Sequence, residues 1–370
     1  KRFFQLRLIT QINYFNSMLE LKDIEHFDLF DDPKANILII YTGGTLGMDY
    51  DENGALAPCG FDQVLRRAPV AKELRINLSV ISFEVPIDSS QVELNHWKRM
   101  AEVIYEHYDE FDGFIILHGT DTMAYSASAL SFMLEGLNKP VIFTGAQLPI
   151  ASPRSDAREN LVTSLEIASD KNDGLPIITE VCIFFNNTLL RGNRAKKVES
   201  ERFDAFESEN YPTLAKAGIT IDYEWSYLKP YSQSKLKLNT AMDPSIVILK
   251  LFPGLNATTV ECIINAPLVK GIVLESYGAG NVPNDIWFID LLKKGITAGK
   301  LILNISQCNG GRVLHGKYQT SGVLDKIGVM SGGDLTTEAA TTKMMYALGM
   351  FDNMSDIKKC LATPIRGEMN

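Results

Sequence analysis

Asn36-Ile37-Leu38-Ile39-Ile40-Tyr41-Thr42-Gly43-Gly44-Thr45-Leu46-Gly47 is the stretch from which the rest of the chain is read. Ile37–Tyr41 is a short apolar run, rich in β-branched residues and bounded by polar residues and glycine, as a buried strand is. It leads straight into two glycines, which let the backbone turn sharply and leave amide N–H groups open. The pattern of apolar run and break recurs at Leu78–Val85, Phe114–His118, Val141–Thr144 and Val181–Phe185. Between these runs the spacing predicts helices. Gln91–Tyr108 carries an apolar face of Trp97, Met100, Ile104 and Tyr108; Thr122–Leu137 carries Met123, Ala127, Leu130, Leu134 and Leu137. Continuous apolar strands alternating with helices specify an α/β fold, a mostly parallel sheet with helices on both faces.

At roughly 150 residues per domain, 370 residues suggest about two domains. Residues 1–35 read as an N-terminal extension and residues 36–222 as the larger α/β domain. The stretch Asp222–Asp243 is polar with weak periodicity, so 223–244 is expected to be a linker. Alternation resumes in 245–370: strands at Ile246–Leu251, Gly271–Glu275 and Leu301–Ser306, helices near Ala257–Ile264, Asp285–Lys294, Leu335–Leu348 and Met354–Leu361. Lys1-Arg2-Phe3-Phe4 looks like the basic start of a secretion signal, but Gln5, Arg7, Thr10, Gln11 and Asn13 break the apolar core that would have to follow. No Met stands at position 1, and Met18 reads as an alternative start.

Hydrophobic residues make up 45% of the chain and charged residues 22%, which excludes a disordered or collagen-like chain. The formal charge of -9 argues against a nucleic-acid partner. No apolar run approaches the ~20 residues of a bilayer span, so no membrane partner is expected. Five cysteines (Cys59, Cys182, Cys262, Cys308, Cys360) are odd in number and never in CxxC spacing. They are expected to pack mostly as small hydrophobes, in reduced form, as suits the cytoplasm.

In open α/β sheets ligands bind beyond the carboxyl ends of the strands. Three such ends carry reactive groups. Thr42 and Thr45 flank the Gly43-Gly44 turn. His118-Gly119-Thr120-Asp121-Thr122 follows the third run and opens a helix, with Thr120 or Asp121 as a natural N-cap. Asp88-Ser89-Ser90 follows the second. His118 has no second histidine beside it and reads as a packing or hydrogen-bonding residue. The cations of Arg191-Gly192-Asn193-Arg194-Ala195-Lys196-Lys197 read by themselves as a solvated face. Taken together, these residues suit acyl transfer without a metal: hydroxyl nucleophiles that need a base, a lysine as base or relay, and glycine-turn amides for an oxyanion. The glycine turn is neither a P-loop nor a GxGxxG fingerprint.

The chain resembles the bacterial-type L-asparaginases, and in particular their cytoplasmic type I branch. The resemblance rests on Ile39–Gly47, on Gly113–Tyr125, on Lys139-Pro140-Val141-Ile142, Phe185-Asn186-Asn187 and Arg191–Arg194, and on Ser276–Asn281 and Gly332–Thr336, spanning about Asn36 to Glu368. It implies a flavodoxin-like C-terminal domain and hydrolysis of L-asparagine to L-aspartate and ammonia through an acyl-enzyme on Thr45, with no metal and no cofactor. Thr120, Asp121 and Lys197 would form a second catalytic triad, with Asp121 also pairing the substrate α-ammonium. Ser89 would hold the α-carboxylate, helped by Asp88 and Ser90. Ala146 would contact the leaving amide through its backbone. Family members build tetramers from intimate dimers, which implies a homotetramer here, with Asn281 acting across a subunit interface.

The sequence departs from the family in two places. The tyrosine that follows the first signature in several relatives is missing from Asn53-Gly54-Ala55-Leu56; Tyr318 and, after it, Tyr50 are the candidates for its role. The regulatory asparagine site of some type I enzymes uses a threonine before the catalytic lysine and an arginine before the Ser-Tyr-Gly run. Lys196 and Glu275 occupy those places, which argues against allosteric control. The rival readings are a glutaminase-asparaginase of broader specificity, the amidotransferase subunit that acts on charged tRNA, and an amino-acid sensor on the same scaffold. A dinucleotide oxidoreductase has only the α/β alternation behind it.

Overall fold

The computed structural model describes residues 19–50, 56–58, 71–314 and 319–370. They divide into two compact units: one runs up to Glu207 and takes in 212–238, the other is 208–211 with 239–370. No helix among the described residues is long and apolar enough to cross a membrane.

The first unit is built on a nine-stranded sheet: β1 (Glu25–Phe27), β2 (Ala35–Tyr41), β3 (Ile76–Ser82), β4 (Gly113–Leu117), β5 (Val141–Thr144), β6 (Val181–Phe185), β7 (Thr188–Arg191), β8 (Ala215–Ala217) and β9 (Ile221–Tyr223). Its spatial order is β1-β3-β2-β4-β5-β6-β7-β8-β9. The central strands β3, β2, β4, β5 and β6 run parallel. They are the strands expected from the apolar runs, each within a few residues of its expected ends. In β4 and β5 every residue is buried, as strands covered on both faces require. The flanks are antiparallel: β1 against β3 on one side, the β6–β7–β8–β9 meander on the other.

Among the described residues, the longer helices of this unit are α1 (Leu94–Glu106), α2 (Met123–Met133) and α3 (Ala157–Ser169). In α1, Trp97, Met100 and Ile104 are buried as the spacing predicts. In α2 the expected single stripe is corrected, because every residue except Tyr125 is buried. The reason is a second layer. The Gly192–Arg194 turn packs on α2: Asn193 Nδ2 donates to Ser131 Oγ at 3.1 Å, and a methyl at Gly192 would lie 3.0 Å from the Ala127 Cβ. The same packing corrects the reading of the cation cluster as a solvated face, since Arg191 and Arg194 are 7% and 2% exposed.

Two further expectations shift. Residues 223–244 are mostly not a free connector: β9 ends at Tyr223, Lys237–Leu238 pairs with Leu134–Glu135, and the first unit extends to Leu238. Of the cysteines, Cys182 and Cys360 are buried, but Cys262 and Cys308 are exposed, and Cys59 lies outside the described residues.

The second unit holds a parallel sheet of β10 (Ile246–Lys250), β11 (Gly271–Ser276), β12 (Leu301–Ser306) and β13 (Met330–Ser331). Among the described residues the four strands lie in chain order. Helices α4 (Ala257–Asn265), α5 (Ile286–Thr297) and α6 (Gln319–Ile327) share one core with Ile272, Leu274 and Ile302. α7 (Thr337–Met350) packs where Gly271 has no side chain: a methyl there would meet the Met344 sulfur at 2.3 Å. α8 (Met354–Ala362) follows, and the tail beyond it is pinned by a fully buried Lys343–Glu368 ion pair.

Candidate active site

Four turns leave the carboxyl ends of β2, β3, β4 and β5, and glycines bring them into contact. Gly43 and Gly44 have φ of +129° and +88°, which L side chains rarely adopt. A methyl at Gly43 would lie 2.5 Å from the Ile87 carbonyl oxygen, and one at Gly44 2.6 Å from the Gly119 nitrogen. A methyl at Gly119 would lie 2.5 Å from Ser89 Oγ, and one at Gly145 2.4 Å from the His118 carbonyl oxygen. Backbone bonds lock the approach: Thr42 N–H donates to Leu117 C=O at 3.1 Å, Ile87 N–H to Thr42 C=O at 2.7 Å, and His118 N–H to Thr144 C=O at 2.9 Å. Thr42, Thr45, Ser89, Thr120 and Ala146 therefore stand on adjoining turns at one edge of the sheet.

Thr45 opens a short 3-10 turn, Thr45–Gly47, and is half-buried; its hydroxyl bonds nothing among the described residues. Lys197 lies on a two-residue strand paired with Phe206–Glu207. Its Nζ donates at 2.7 Å to Thr120 Oγ1 and at 2.7 Å to Asp121 Oδ1. The three groups expected as a triad are thus in direct contact, although Lys197 comes from a segment 77 residues away. The Lys197 side chain is 17% exposed and that of Asp121 65%, so the carboxylate faces open space.

The Asp88 carboxylate accepts the Ser90 N–H at 2.9 Å and shapes the turn that buries Ser89. Thr122, neither Thr120 nor Asp121, is the N-cap of α2, and it makes no side-chain cap bond. Ala146 is buried between Gly145, whose carbonyl accepts Asn160 Nδ2 at 3.0 Å, and Gln147, whose N–H donates to Asp156. Gln147 is a contact that the sequence reading missed. Thr120 Oγ1 donates to its Oε1 at 3.3 Å, and its Nε2 donates to the Arg202 carbonyl at 3.0 Å. Its place directly after Gly145-Ala146 at a strand end was the available signal.

His118 is buried and fully bonded. A carbonyl can only accept, so the 2.7 Å contact with the Gly119 carbonyl puts the proton on Nδ1. Trp97 Nε1 donates to Ser126 Oγ at 2.8 Å, and Ser126 donates to Nε2 at 3.0 Å. Burial holds the imidazole neutral and pushes its pKa down to about 4.

Of the remaining candidates, Asn281 lies in the second unit, where its N–H donates to the Tyr277 carbonyl at 2.8 Å. Glu275 is buried, and its carboxylate accepts Thr337 Oγ1 at 2.6 Å and faces Lys250 at 3.4 Å. Lys196 is paired with Glu207 along the short strand. The Tyr50 side chain and the whole of Tyr318 lie outside the described residues. No group of three His, Cys, Asp or Glu among the described residues is placed to hold a metal ion.

The family profile described as "Asparaginase, N-terminal" matches residues 36–229, and that described as "Glutaminase/Asparaginase C-terminal domain" matches 245–361. The chain belongs to the asparaginase family. It is 39% identical to L-asparaginase 1 of Escherichia coli K12 over 340 residues, covering 91% of this chain and 98% of the relative. It is also 39% identical to the 60 kDa lysophospholipase of Mus musculus over 363 residues, which covers 91% of this chain and 63% of that protein. The crystal structure of L-asparaginase I from Vibrio cholerae matches with a TM-score of 0.82 at 36% identity, over 91% of this chain and 99% of that one. As an asparaginase-family enzyme, the chain presents both signature turns at the same sheet edge.

Proposed function

We propose that this enzyme hydrolyses L-asparagine to L-aspartate and ammonia through a covalent intermediate on Thr45. The observation that carries the reading is the Lys197 amine, 2.7 Å from both the Thr120 hydroxyl and the Asp121 carboxylate, which follow the Gly119 on which Gly44 of the Thr45 turn packs. Thr45 Oγ attacks the side-chain amide carbon. Backbone N–H groups of the glycine turns stabilise the oxyanion. The proton that Thr45 gives up and the proton that the leaving nitrogen takes are exchanged through Thr120 and Lys197. The C–N bond breaks and ammonia departs. Water then adds to the ester carbon, the bond to Oγ breaks, and Thr45 regains its proton. Asp121 holds the α-ammonium and Ser89 the α-carboxylate; Asp88 and Ser90 shape that turn, and Ala146 faces the leaving amide through its backbone.

Ammonia release tests this directly. Thr45→Ala, Thr120→Ala and Lys197→Met are each expected to lower kcat by about a thousandfold or more, as loss of a nucleophile or its activating partner does. Thr45→Ala turnover within a few-fold of wild type would exclude Thr45 as nucleophile. Binding of aspartate without ammonia release would instead identify a sensor. Glutamine is measured alongside, because one methylene discriminates by only about 1–3 kcal/mol. The enzyme is further proposed to be cytoplasmic and tetrameric, with Asn281 completing a neighbour's site. Light scattering on the purified protein checks the assembly, and fractionation of the source cells checks the compartment.

A further inference from the structure

A threonine at a helix N-cap ordinarily turns its hydroxyl back to accept an N–H from the first turn. Thr122 does not. Its Oγ1 donates at 2.6 Å to the carbonyl of Ser89, 33 residues earlier in the chain. The Ser89 carbonyl already accepts the Val92 N–H at 3.2 Å, within the turn that Asp88 shapes. On its other side Ser89 lies against Gly119, where a methyl would come within 2.5 Å of Oγ. Ser89 is thus fixed from its own turn, from Gly119 and from Thr122.

Thr122 also directly follows Asp121, whose Oδ1 is held by Lys197. A single hydroxyl therefore ties the segment that carries Asp121 to the turn that carries Ser89. We propose that Thr122 is a positioning residue: its bond to the Ser89 carbonyl sets the spacing between the two groups that grip the α-ammonium and α-carboxylate of the substrate. The inference rests on the hydrolase reading above and adds to it a residue that governs affinity. The α-amino-acid head does not react, so its contacts are the same in the ground state and the transition state. Loosening them raises KM and leaves kcat in place. The head is common to asparagine, glutamine and aspartate, so all three are affected alike.

The test compares wild type, Thr122→Val and Thr122→Ser in steady-state ammonia release from asparagine and glutamine, in inhibition by L-aspartate, and in thermal melting. Thr122→Val is expected to raise both KM values and the aspartate inhibition constant by a common factor of about ten, the effect of losing one well-formed hydrogen bond, with kcat within twofold. Thr122→Ser keeps the hydroxyl and is expected to restore all three constants. A role confined to the helix end would lower the melting temperature and leave KM alone. Unchanged KM in Thr122→Val, a fall in kcat at constant KM, or failure of Thr122→Ser to restore the constants would each overturn the proposal. Should Thr122→Val not fold, Thr122→Ala carries the same expectation. Wild-type protein that neither releases ammonia nor binds aspartate would remove the hydrolase reading and this inference together. An active wild type with an indifferent Thr122→Val removes only the inference.

Discussion

One methyl group at Gly44 would decide whether the site can assemble. An alanine there would adopt a left-handed φ and press its Cβ to 2.6 Å from the Gly119 nitrogen and 2.8 Å from its Cα. Both atoms are backbone and have little room to yield. A left-handed residue costs about 1–2 kcal/mol and overpacking about 1–3. Gly44→Ala is therefore expected to lower the melting temperature and to cut kcat about a hundredfold, as an ångström of misplacement does. A variant with wild-type melting and turnover would show that the two turns need not touch. At this scale the sequence was legible where residue type and neighbour coincide. Thr45 and Thr120 stand beside the glycines their chemistry needs. Lys197 was not legible from its surroundings, because a cation among cations reads as solvated. Thr122 was hidden for another reason: the spacing placed it inside the helix, behind Thr120 or Asp121 as the cap, and nothing local says that its hydroxyl points elsewhere.

Among the elements, the parallel strands were legible because burial on both faces demands continuous apolar runs. Helix α3 was not. Its buried face includes Asn160, Thr163, Ser164 and Ser169, so the apolar period is blurred. The β7–β8–β9 meander is short and partly exposed and left no run to see. The strand end at His118 has a measurable consequence. The Trp97–Ser126–His118–Gly119 chain requires a neutral imidazole, with Nε2 accepting and Nδ1 donating. Its folded pKa is depressed from 6.5 to about 4, so the unfolded chain binds the extra proton first. The associated stability is complete above pH 6.5 and is lost as pH falls toward 4, by on the order of 3 kcal/mol. Denaturation of wild type and His118→Gln between pH 7 and 4 checks this. The variant is expected to lack that part of the acid-side slope, and parallel curves for the two proteins would refute it.

At the scale of the whole molecule, composition misled at the polar stretch after Tyr223. Lysines, serines and a proline suggested a loose tether, yet the segment is bonded along its length. Arg191 donates to Glu180 and to the Tyr227 carbonyl, and the Lys229 N–H donates to Glu180 Oε1 at 3.0 Å. Lys229 Nζ donates to the Leu137 and Thr179 carbonyls at 2.6 and 3.2 Å, and Asn138 Nδ2 donates to the Ser234 carbonyl at 2.8 Å. A polar composition serves a free coil and a segment held by side-chain hydrogen bonds equally well, so only the partners distinguish them. Glu180→Ala leaves a buried guanidinium without its carboxylate, a loss of about 3–5 kcal/mol. Protease cleavage requires the backbone to open first. Trypsin is accordingly expected to spare residues 223–238 in the native protein and to nick them early in Glu180→Ala, as read by mass spectrometry. Rapid nicking of wild type there would contradict the bonding. The most soluble-looking ribbon of the chain thus behaves as a rivet, and a protein engineer seeking a permissive place to insert a tag or a foreign loop would do well to look elsewhere.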